Sequence, residues 1–276
     1  MRVSIQGEAG SFHDVAARQY FGDELEEIVP CATFEKTLMC IKEGIADFAL
    51  MAIENARAGS ILQNYTLIRE SGLKILGEHD LRVRQNLMAL PGQTIKEITE
   101  VRSHPIALSQ CMTYLLTLGH VTLIESEDTA ASAREISENK IAGVAAIGSE
   151  AAANLYGLSV IENGIETYRK NYTKFLVVGH RRHSLKEGNK ASLCFSLNHK
   201  PGALAGVLVR FAELSINLTK IQSVPRLNGG WEYMFYIDIE LNDDTNMEMV
   251  CSEMNEFTRD LEILGIYNKC EKLYES

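Results

Sequence analysis

Three short segments of the sequence carry polar residues that could bind an anionic ligand. Residues 6–12, Gln-Gly-Glu-Ala-Gly-Ser-Phe, follow a strand-like run and precede a helical pattern. The free backbone N–H groups and the helix dipole at such a turn favour a carboxylate. Glu54 and Asn55 come at the carboxyl end of a second apolar run, where open α/β sheets place their ligands. Thr173 and Lys174 put a hydroxyl and a cation just before a third apolar run, which begins at Phe175.

Further candidate residues lie at predicted helices. Ser103 and Gln110 are about two helical turns apart and would share one helix face. Ser103 could equally cap the helix that Pro105 opens, and Asp128-Thr129 has the composition of a helix start. Taken one at a time, each of these segments is better explained as a turn, a cap or a strand start than as a site.

The elements that must position these residues alternate in type as far as about residue 180. Runs rich in Val and Ile are predicted strands at 3–5, 28–31, 48–53, 75–78, 81–90, 121–124, 144–147 and 175–178. Between several of these runs, apolar residues recur at steps of three and four, which predicts helices with one buried stripe. Such alternation is typical of α/β units with a largely parallel sheet.

The break at Pro91-Gly92 and a plausible helix start at Pro105 predict a second α/β lobe within this region. We expect a catalytic region over 1–180, with one lobe at about 1–78 and 162–180 and another at about 79–161. A chain that crosses twice between two lobes forms a hinged cleft, where ligands usually bind. The predicted architecture is therefore two-lobed α/β, like that of periplasmic binding proteins, followed by a polar linker at 181–189.

The last part of the chain, residues 190–276, has a different order of elements. Strands are predicted at 191–197, 217–224, 231–241 and 261–267, with helices at 201–214 and 246–257. This βαββαβ order is ferredoxin-like. Asn228-Gly229-Gly230 predicts the turn between the two middle strands, and residues 245–248 predict a capping box that opens the second helix.

Composition excludes several classes of function. The net charge of −10 argues against nucleic acid or an anionic membrane as a partner, because both attract basic surfaces. No apolar stretch is long enough for a membrane-spanning helix, and the strand-like start leaves no room for a signal peptide, so a cytoplasmic protein is expected. The six cysteines form no CxxC pair and the seven histidines no HExxH motif, and we therefore expect no metal site.

Taken in order, the segments resemble one family, the prephenate dehydratases, over nearly the whole chain. Residues 7–12 are similar to its opening G-x-x-G-[ST]-F motif, residues 53–55 to its I-E-N-S block, and residues 103–111 to its S-H-P-x-A-x-x-Q-C motif. The stretch from 145 to 175, which ends in T-K-F, resembles the one that leads to the family's T-R-F motif. Residues 201–204 and 222–225 resemble the G-A-L and E-S-R-P motifs of its ACT domain.

The resemblance implies conversion of prephenate to phenylpyruvate in phenylalanine biosynthesis, with loss of carbon dioxide and water and with no metal or organic cofactor. Thr173 matches the catalytic threonine and is expected to donate a hydrogen bond to the leaving hydroxyl. Because a threonine hydroxyl is a poor acid, it would orient or relay a proton rather than supply it alone. The residues expected to bind substrate are Ser11, Phe12, Glu54, Asn55, Ser103, Gln110, Thr129, Lys174 and Phe175.

The ACT domain of similar proteins binds phenylalanine as a feedback inhibitor. The matching positions, expected to be allosteric, are Gly202, Ala203, Leu204, Asn217, Leu218, Gln222, Ser223 and Pro225. ACT domains commonly pair edge to edge, so a homodimer or homotetramer is expected. The sequence has no segment like chorismate mutase, and a monofunctional enzyme is expected.

Several residues depart from the family's motifs. Lys174 replaces the usual arginine, Ala56 the serine of I-E-N-S, and His13 a common serine or threonine, which affects how substrate is anchored. Gln222 and Val224 replace the Glu and Arg of E-S-R-P, which affects phenylalanine inhibition.

Three alternative functions are compatible with parts of the pattern. A two-lobed solute-binding protein would need an export signal. A purely regulatory sensor with a decayed catalytic half is disfavoured by the retained Asn55, Ser103, Gln110 and Thr173. Arogenate in place of prephenate as substrate stays open.

Overall fold

A computed structural model describes residues 1–184, 187–226, 232–242 and 247–270. The predicted turn at Asn228-Gly229-Gly230 lies outside these residues, as do Thr245 and Asn246 of the predicted capping box and two linker positions, 185 and 186. Among the described residues, no helix combines the length and the apolar character that crossing a membrane requires.

Strands and helices alternate along most of the chain. Through the predicted catalytic region, the elements are β1 (Arg2–Gln6), α1 (Phe12–Phe21), β2 (Glu27–Cys31), α2 (Phe34–Lys42), β3 (Phe48–Asn55), β4 (Gly59–Ser60), α3 (Leu62–Ser71), β5 (Lys74–Arg82), β6 (Asn86–Ala89), β7 (Glu100–Ser103), α4 (Pro105–Gln110), α5 (Met112–Leu118), β8 (Thr122–Glu125), α6 (Thr129–Glu138), β9 (Val144–Gly148), α7 (Glu150–Leu155), β10 (Ser159–Glu162) and β11 (Tyr172–Gly179). They are followed by β12 (Lys190–Ser196), α8 (Ala203–Glu213), β13 (Leu218–Arg226), β14 (Glu232–Glu240), α9 (Met247–Asn255) and β15 (Arg259–Tyr267).

The strands form three sheets. The first has the order β2-β1-β3-β11-β5, with β4 paired to β3, and the second has the order β10-β6-β9-β7-β8. In the first sheet β1 pairs in parallel with β2 and β3, and in the second β7 pairs in parallel with β8 and β9. The second sheet also contains β6, which is antiparallel to β9 and β10. The two-lobed α/β architecture is thus built on two sheets, and both combine parallel with antiparallel pairs, since β4 is antiparallel to β3 in the first.

One predicted strand is two strands in the structure. The apolar run 81–90 is divided, because β5 ends at Arg82 and β6 begins at Asn86. β5 belongs to the first sheet and β6 to the second, so the chain passes from one lobe to the other between them. The short strands β7 and β10 were not predicted, since four residues with little apolar content carry no periodic signal of their own.

Central strands of both sheets are buried along nearly their whole length, as strands covered by helices on both faces must be. Residues 49–53 of β3 are all buried, and so are all five residues of β9. On one face of the second sheet, Leu87, Val101 and Ile147 pack with Leu108 and Leu115 of α4 and α5. These rigid strands hold the polar residues at their carboxyl ends in place.

Contacts divide the chain into two compact units, residues 1–61 with 79–175 and residues 62–78 with 176–276. The second unit contains the third sheet, an antiparallel one with the order β13-β14-β12-β15. Its elements follow one another as βαββαβ, the order expected from the sequence. Leu193, Phe195 and Ile237 of the sheet pack with Val207 and Phe211 of α8. The domain limits 1–180, 181–189 and 190–276 stay a prediction.

Candidate active site

The loop before α1 lies against the start of helices from the second lobe. Gly7 and Gly10 have φ angles of +93° and +83°, which L side chains rarely adopt. A Cβ on Gly10 would lie 2.8 Å from the Cα of Ala152 in α7, and one on Gly7 would lie 2.6 Å from Oδ2 of Asp128. Both glycines are therefore required by backbone conformation and by close approach.

Side chains of the second lobe bind this loop. The Tyr156 hydroxyl donates to the carbonyl of Ala9 at 2.9 Å. Arg134 of α6 forms two parallel hydrogen bonds to Glu8, from Nε to Oε2 at 2.7 Å and from Nη2 to Oε1 at 2.8 Å. This bidentate pair raises the pKa of Arg134 above its usual value. The loop thus joins the two lobes along one side of the site.

Thr173 and Asn55 meet where β11 runs beside β3. Asn55 Nδ2 donates to Thr173 Oγ1 at 2.9 Å, while Asn55 Oδ1 accepts the main-chain N–H groups of Arg57 at 2.9 Å and Ala58 at 2.8 Å. Because those two donors can only be satisfied by an oxygen, they fix the orientation of the amide and aim its NH₂ group at Thr173. Within the described residues, the Thr173 hydroxyl accepts this hydrogen bond and donates none. Its own proton is therefore available to a ligand.

Four amide side chains extend this contact into a chain that we call the amide network: Asn55, Asn171, Gln110 and Gln85. Asn55 Nδ2 also donates to Asn171 Oδ1 at 3.0 Å, and Asn171 Nδ2 donates to Gln110 Oε1 at 2.9 Å. Gln85 Nε2 donates to the same Gln110 oxygen at 3.2 Å. The network is neutral, so it orients groups by dipoles rather than by charge.

Two members of the amide network were not among the site residues expected from the sequence. Asn171 is only 1% exposed and Gln85 only 3%. Asn171 lies two positions before Thr173, a spacing that places both side chains on one face of an extended chain, and this signal was available in the sequence. Gln85 lies in the break between β5 and β6, which only strand pairing reveals.

Lys174 and Phe175, which follow Thr173, have different surroundings. Lys174 Nζ lies 3.2 Å from Oδ1 of Asp80, whose side chain is 4% exposed, so a buried carboxylate compensates this positive charge. Consecutive strand residues face opposite sides, which directs Lys174 away from the face that carries Thr173. A substrate-binding role for Lys174 stays a prediction.

Phe175 is 1% exposed and contacts His13 edge to face, with ring centroids 5.1 Å apart. Burial lowers the pKa of His13 to about 4, so its imidazole is neutral at neutral pH. Phe175 thus packs against a histidine in the wall of the first lobe.

The other expected substrate-binding residues lie at element ends. Ser103 is fully buried and donates to the Ile147 carbonyl at 2.7 Å, which joins β7 to β9. Ser11 is the N-cap of α1, and Phe12 is that helix's first residue. Thr129 is the first residue of α6, and Glu54 pairs in register with Ser60 at the end of β3. Hydrogen bonds bring Asn55 and Gln110 together with Thr173, whereas the hydroxyl of Ser103 donates to a backbone carbonyl and that of Ser11 caps a helix.

The expected allosteric positions all fall in the second unit. Gly202, with a φ of +81°, is the N-cap of α8, which begins with Ala203 and Leu204. Asn217 Nδ2 donates to Glu240 Oε2 at 2.7 Å. The remaining positions, Leu218, Gln222, Ser223 and Pro225, belong to β13, an edge strand of the third sheet.

Comparison with known proteins places this geometry in a family. The family model for prephenate dehydratase matches residues 3–183. A protein of Arabidopsis thaliana, arogenate dehydratase/prephenate dehydratase 2, chloroplastic, is 36% identical over 281 residues, which cover 97% of this chain and 72% of the relative.

Two solved structures share the fold over nearly the whole chain. One, described as GqqA, a novel type of quorum quenching acylases, has a TM-score of 0.89 at 30% identity and covers 98% of both chains. The other is a prephenate dehydratase from Arthrobacter aurescens in complex with L-Phe, with a TM-score of 0.87 at 25% identity over 97% of this chain and 90% of that one. Since the family model covers well over half of the sequence, the chain belongs to the prephenate dehydratase family.

Proposed function

We propose that this protein converts prephenate to phenylpyruvate, and that Thr173 assists departure of the ring hydroxyl. The observation that carries the assignment is the hydrogen bond from Asn55 to Thr173 Oγ1, which leaves the threonine proton available. Prephenate becomes aromatic when it loses its ring carboxylate as carbon dioxide and its hydroxyl as water. The reaction needs a donor at the departing oxygen and no redox partner.

Thr173 would act by orientation and polarisation. The donor at its oxygen makes its own O–H a stronger donor, because hydrogen bonds in a chain polarise one another. Negative charge develops on the leaving oxygen in the transition state, so a donor placed there lowers the barrier more than it stabilises bound substrate. Thr173 is 9% exposed, which keeps competing water from most of its surface.

The similarity to an acylase structure offers a second candidate, amide hydrolysis. A threonine nucleophile needs a base that takes its proton. The partner of Thr173 Oγ1 is instead the NH₂ group of Asn55, a donor that cannot accept a proton. The site therefore favours donation to a leaving group over nucleophilic attack.

Arogenate is a second candidate substrate for the same chemistry. It differs from prephenate by an amino group in place of the keto group on the side chain, so loss of carbon dioxide and water from the ring is unchanged. The support is the Arabidopsis thaliana relative, whose name includes both activities.

Purified protein incubated with prephenate, with arogenate and with an acyl amide tests these assignments together. We expect phenylpyruvate from prephenate, with Thr173→Ser close to the parent rate. Thr173→Ala should be slower by about 10²- to 10⁴-fold, the usual contribution of a positioned proton donor. Turnover of prephenate by Thr173→Ala at the parent rate would exclude the threonine. Hydrolysis of the amide without turnover of prephenate would exclude the dehydratase.

We also propose that residues 190–276 form an ACT regulatory domain that binds phenylalanine, and that the described positions in 202–225 contribute to its site. Support comes from the βαββαβ order and from the L-Phe complex of the Arthrobacter aurescens protein. Arg226, two residues after Val224, pairs with Asp260 at 2.8 Å, so it does not simply replace the arginine missing from position 224. Titration calorimetry with phenylalanine tests the proposal, and absence of binding heat at millimolar ligand would overturn it.

Three further features belong to the same proposal. The catalytic region would occupy 1–180 and the linker 181–189. Edge strand β13 of the third sheet would let ACT domains pair into a dimer or tetramer. The protein would work in the cytoplasm, as a biosynthetic enzyme with a soluble substrate.

A further inference from the structure

The substrate of the proposed reaction carries two carboxylates, and the site needs a cation that can bind one of them. Lys174, the cation of the T-K-F motif, is paired with buried Asp80 at 3.2 Å. The amide network is neutral. A cation that binds a substrate carboxylate would therefore be a residue other than Lys174 and the amide network.

Arg57 provides such a cation beside the amide network. Its main-chain N–H donates to Asn55 Oδ1, the amide that also contacts Thr173. Its side chain lines a cavity of 360 Å³ whose wall also includes Gln110, Asn171 and Glu166. The Glu166 carboxylate accepts the main-chain N–H of Gln85 at 3.0 Å. No carboxylate in the described ranges forms an ion pair with Arg57, although the protein has ten more acidic than basic residues.

The Arg57 guanidinium is held by an aromatic ring rather than by an acid. It lies over Tyr168, 4.0 Å from the ring centroid. Such stacking orients the planar group while leaving the N–H groups along its edge available for a planar, bidentate partner. A carboxylate has the geometry that this edge matches.

The chemistry distinguishes the two carboxylates of the substrate. The ring carboxylate must lose its charge as it leaves as carbon dioxide, and a strong cation there would stabilise the ground state and slow the reaction. The side-chain carboxylate keeps its charge from substrate to product, so a cation can hold it throughout.

We propose that Arg57 binds the side-chain carboxylate of the substrate and supplies the bidentate contact that Lys174 does not. This inference rests on the proposed dehydratase function. Arg57 acts as a binding residue and takes no part in proton movement.

Steady-state kinetics of Arg57→Gln with prephenate test the inference. We expect KM to rise about 10- to 100-fold, the usual effect of losing a charge-assisted hydrogen bond, with kcat within about threefold of the parent. Inhibition by the product phenylpyruvate should weaken by a similar factor, because the product retains only the side-chain carboxylate. Arg57→Lys should recover part of the affinity, since the ammonium keeps the positive charge but cannot form the bidentate contact of the planar guanidinium.

Arg169→Gln is the matched control. Arg169 is an exposed arginine of the same loop region as Tyr168, and it lines a different cavity of 230 Å³. Its loss removes the same charge, and KM should stay within about twofold because only general attraction is affected.

The outcomes separate the inference from the function on which it rests. If the parent makes no phenylpyruvate, the dehydratase assignment fails. If the parent is active, the same KM in Arg57→Gln and the parent refutes the role of Arg57, and so does an equal change in both arginine variants. A raised KM with unchanged phenylpyruvate inhibition refutes the assignment to the side-chain carboxylate.

Discussion

Replacing Asn55 by Asp reverses one hydrogen bond of the site while exchanging a single NH₂ group for an oxygen. In the parent, Asn55 Nδ2 donates to Thr173 Oγ1 at 2.9 Å. An aspartate can only accept, so the Thr173 proton would turn toward residue 55 and away from the substrate. The main-chain N–H groups of Arg57 and Ala58 would keep their acceptor, which preserves the local turn.

The size of the effect follows from that competition. A hydrogen bond from a hydroxyl to a carboxylate is worth about 1.5–3 kcal/mol and must break before Thr173 can donate to the leaving oxygen. This corresponds to a fall in kcat of about 10- to 150-fold. The carboxylate would also face Asn171 Oδ1 and the Tyr172 carbonyl, which lie 3.0 and 3.3 Å from Asn55 Nδ2. We expect the free energy of unfolding to fall by about 1–3 kcal/mol.

A double-mutant cycle with Thr173→Val checks the mechanism. If Asn55→Asp acts through the threonine proton, the double variant should be no more than about twofold slower than Thr173→Val alone, because the two residues act as a unit. Asn154→Asp, an exposed change of the same kind on α7, controls for added charge. A kcat of Asn55→Asp within threefold of the parent, or losses that multiply in the double variant, would refute the reasoning.

Two stability predictions follow from buried ionisable groups. Burial lowers the pKa of His13 to about 4, so the unfolded chain binds a proton at this imidazole more tightly than the folded chain does. The free energy of unfolding should therefore be highest above about pH 6.5 and should fall by about 3 kcal/mol as the pH drops to about 4. Urea unfolding of His13→Leu should lack this part of the pH dependence, and identical pH profiles would contradict it. Lys190 Nζ lies 2.6 Å from Glu78 and 3.7 Å from Asp238, with all three side chains buried. Lys190→Met should therefore lose about 3–5 kcal/mol, since two carboxylates are left buried together, whereas exposed Lys170→Met should change stability by less than about 0.5 kcal/mol. Equal unfolding midpoints for the two lysine variants would show that the buried cluster contributes nothing.

Apolar periodicity predicted most strands of the first sheet and the βαββαβ order of the last part of the chain, because these elements bury continuous or amphipathic runs. It failed at residues 81–90, where one apolar run serves two sheets. Hydrophobicity reports that a residue is buried but not which strand it pairs with. The break at that point is what brings Gln85 into the amide network.

The residues of the candidate site were likewise predicted in part from the sequence. The motifs around Asn55 and Thr173 identified the pair that the structure brings into contact, although 118 positions separate them. The sequence could not indicate that buried Asp80 compensates Lys174, nor that Ser103 donates to a backbone carbonyl. Both depend on neighbours supplied by other strands.

What the sequence by itself determined was local in origin: the order of elements, the glycines of the first loop, and the presence of the residues that resemble the family's motifs. Tertiary structure alone decided which polar side chains meet, because the pairing of β3 with β11 brings Asn55 and Thr173 together. It also decided that a carboxylate compensates Lys174, whereas no carboxylate in the described part of the chain forms an ion pair with Arg57. Lys174 and Arg57 are alike in charge, and only the folded chain distinguishes them, by placing a carboxylate beside one and an aromatic ring beside the other.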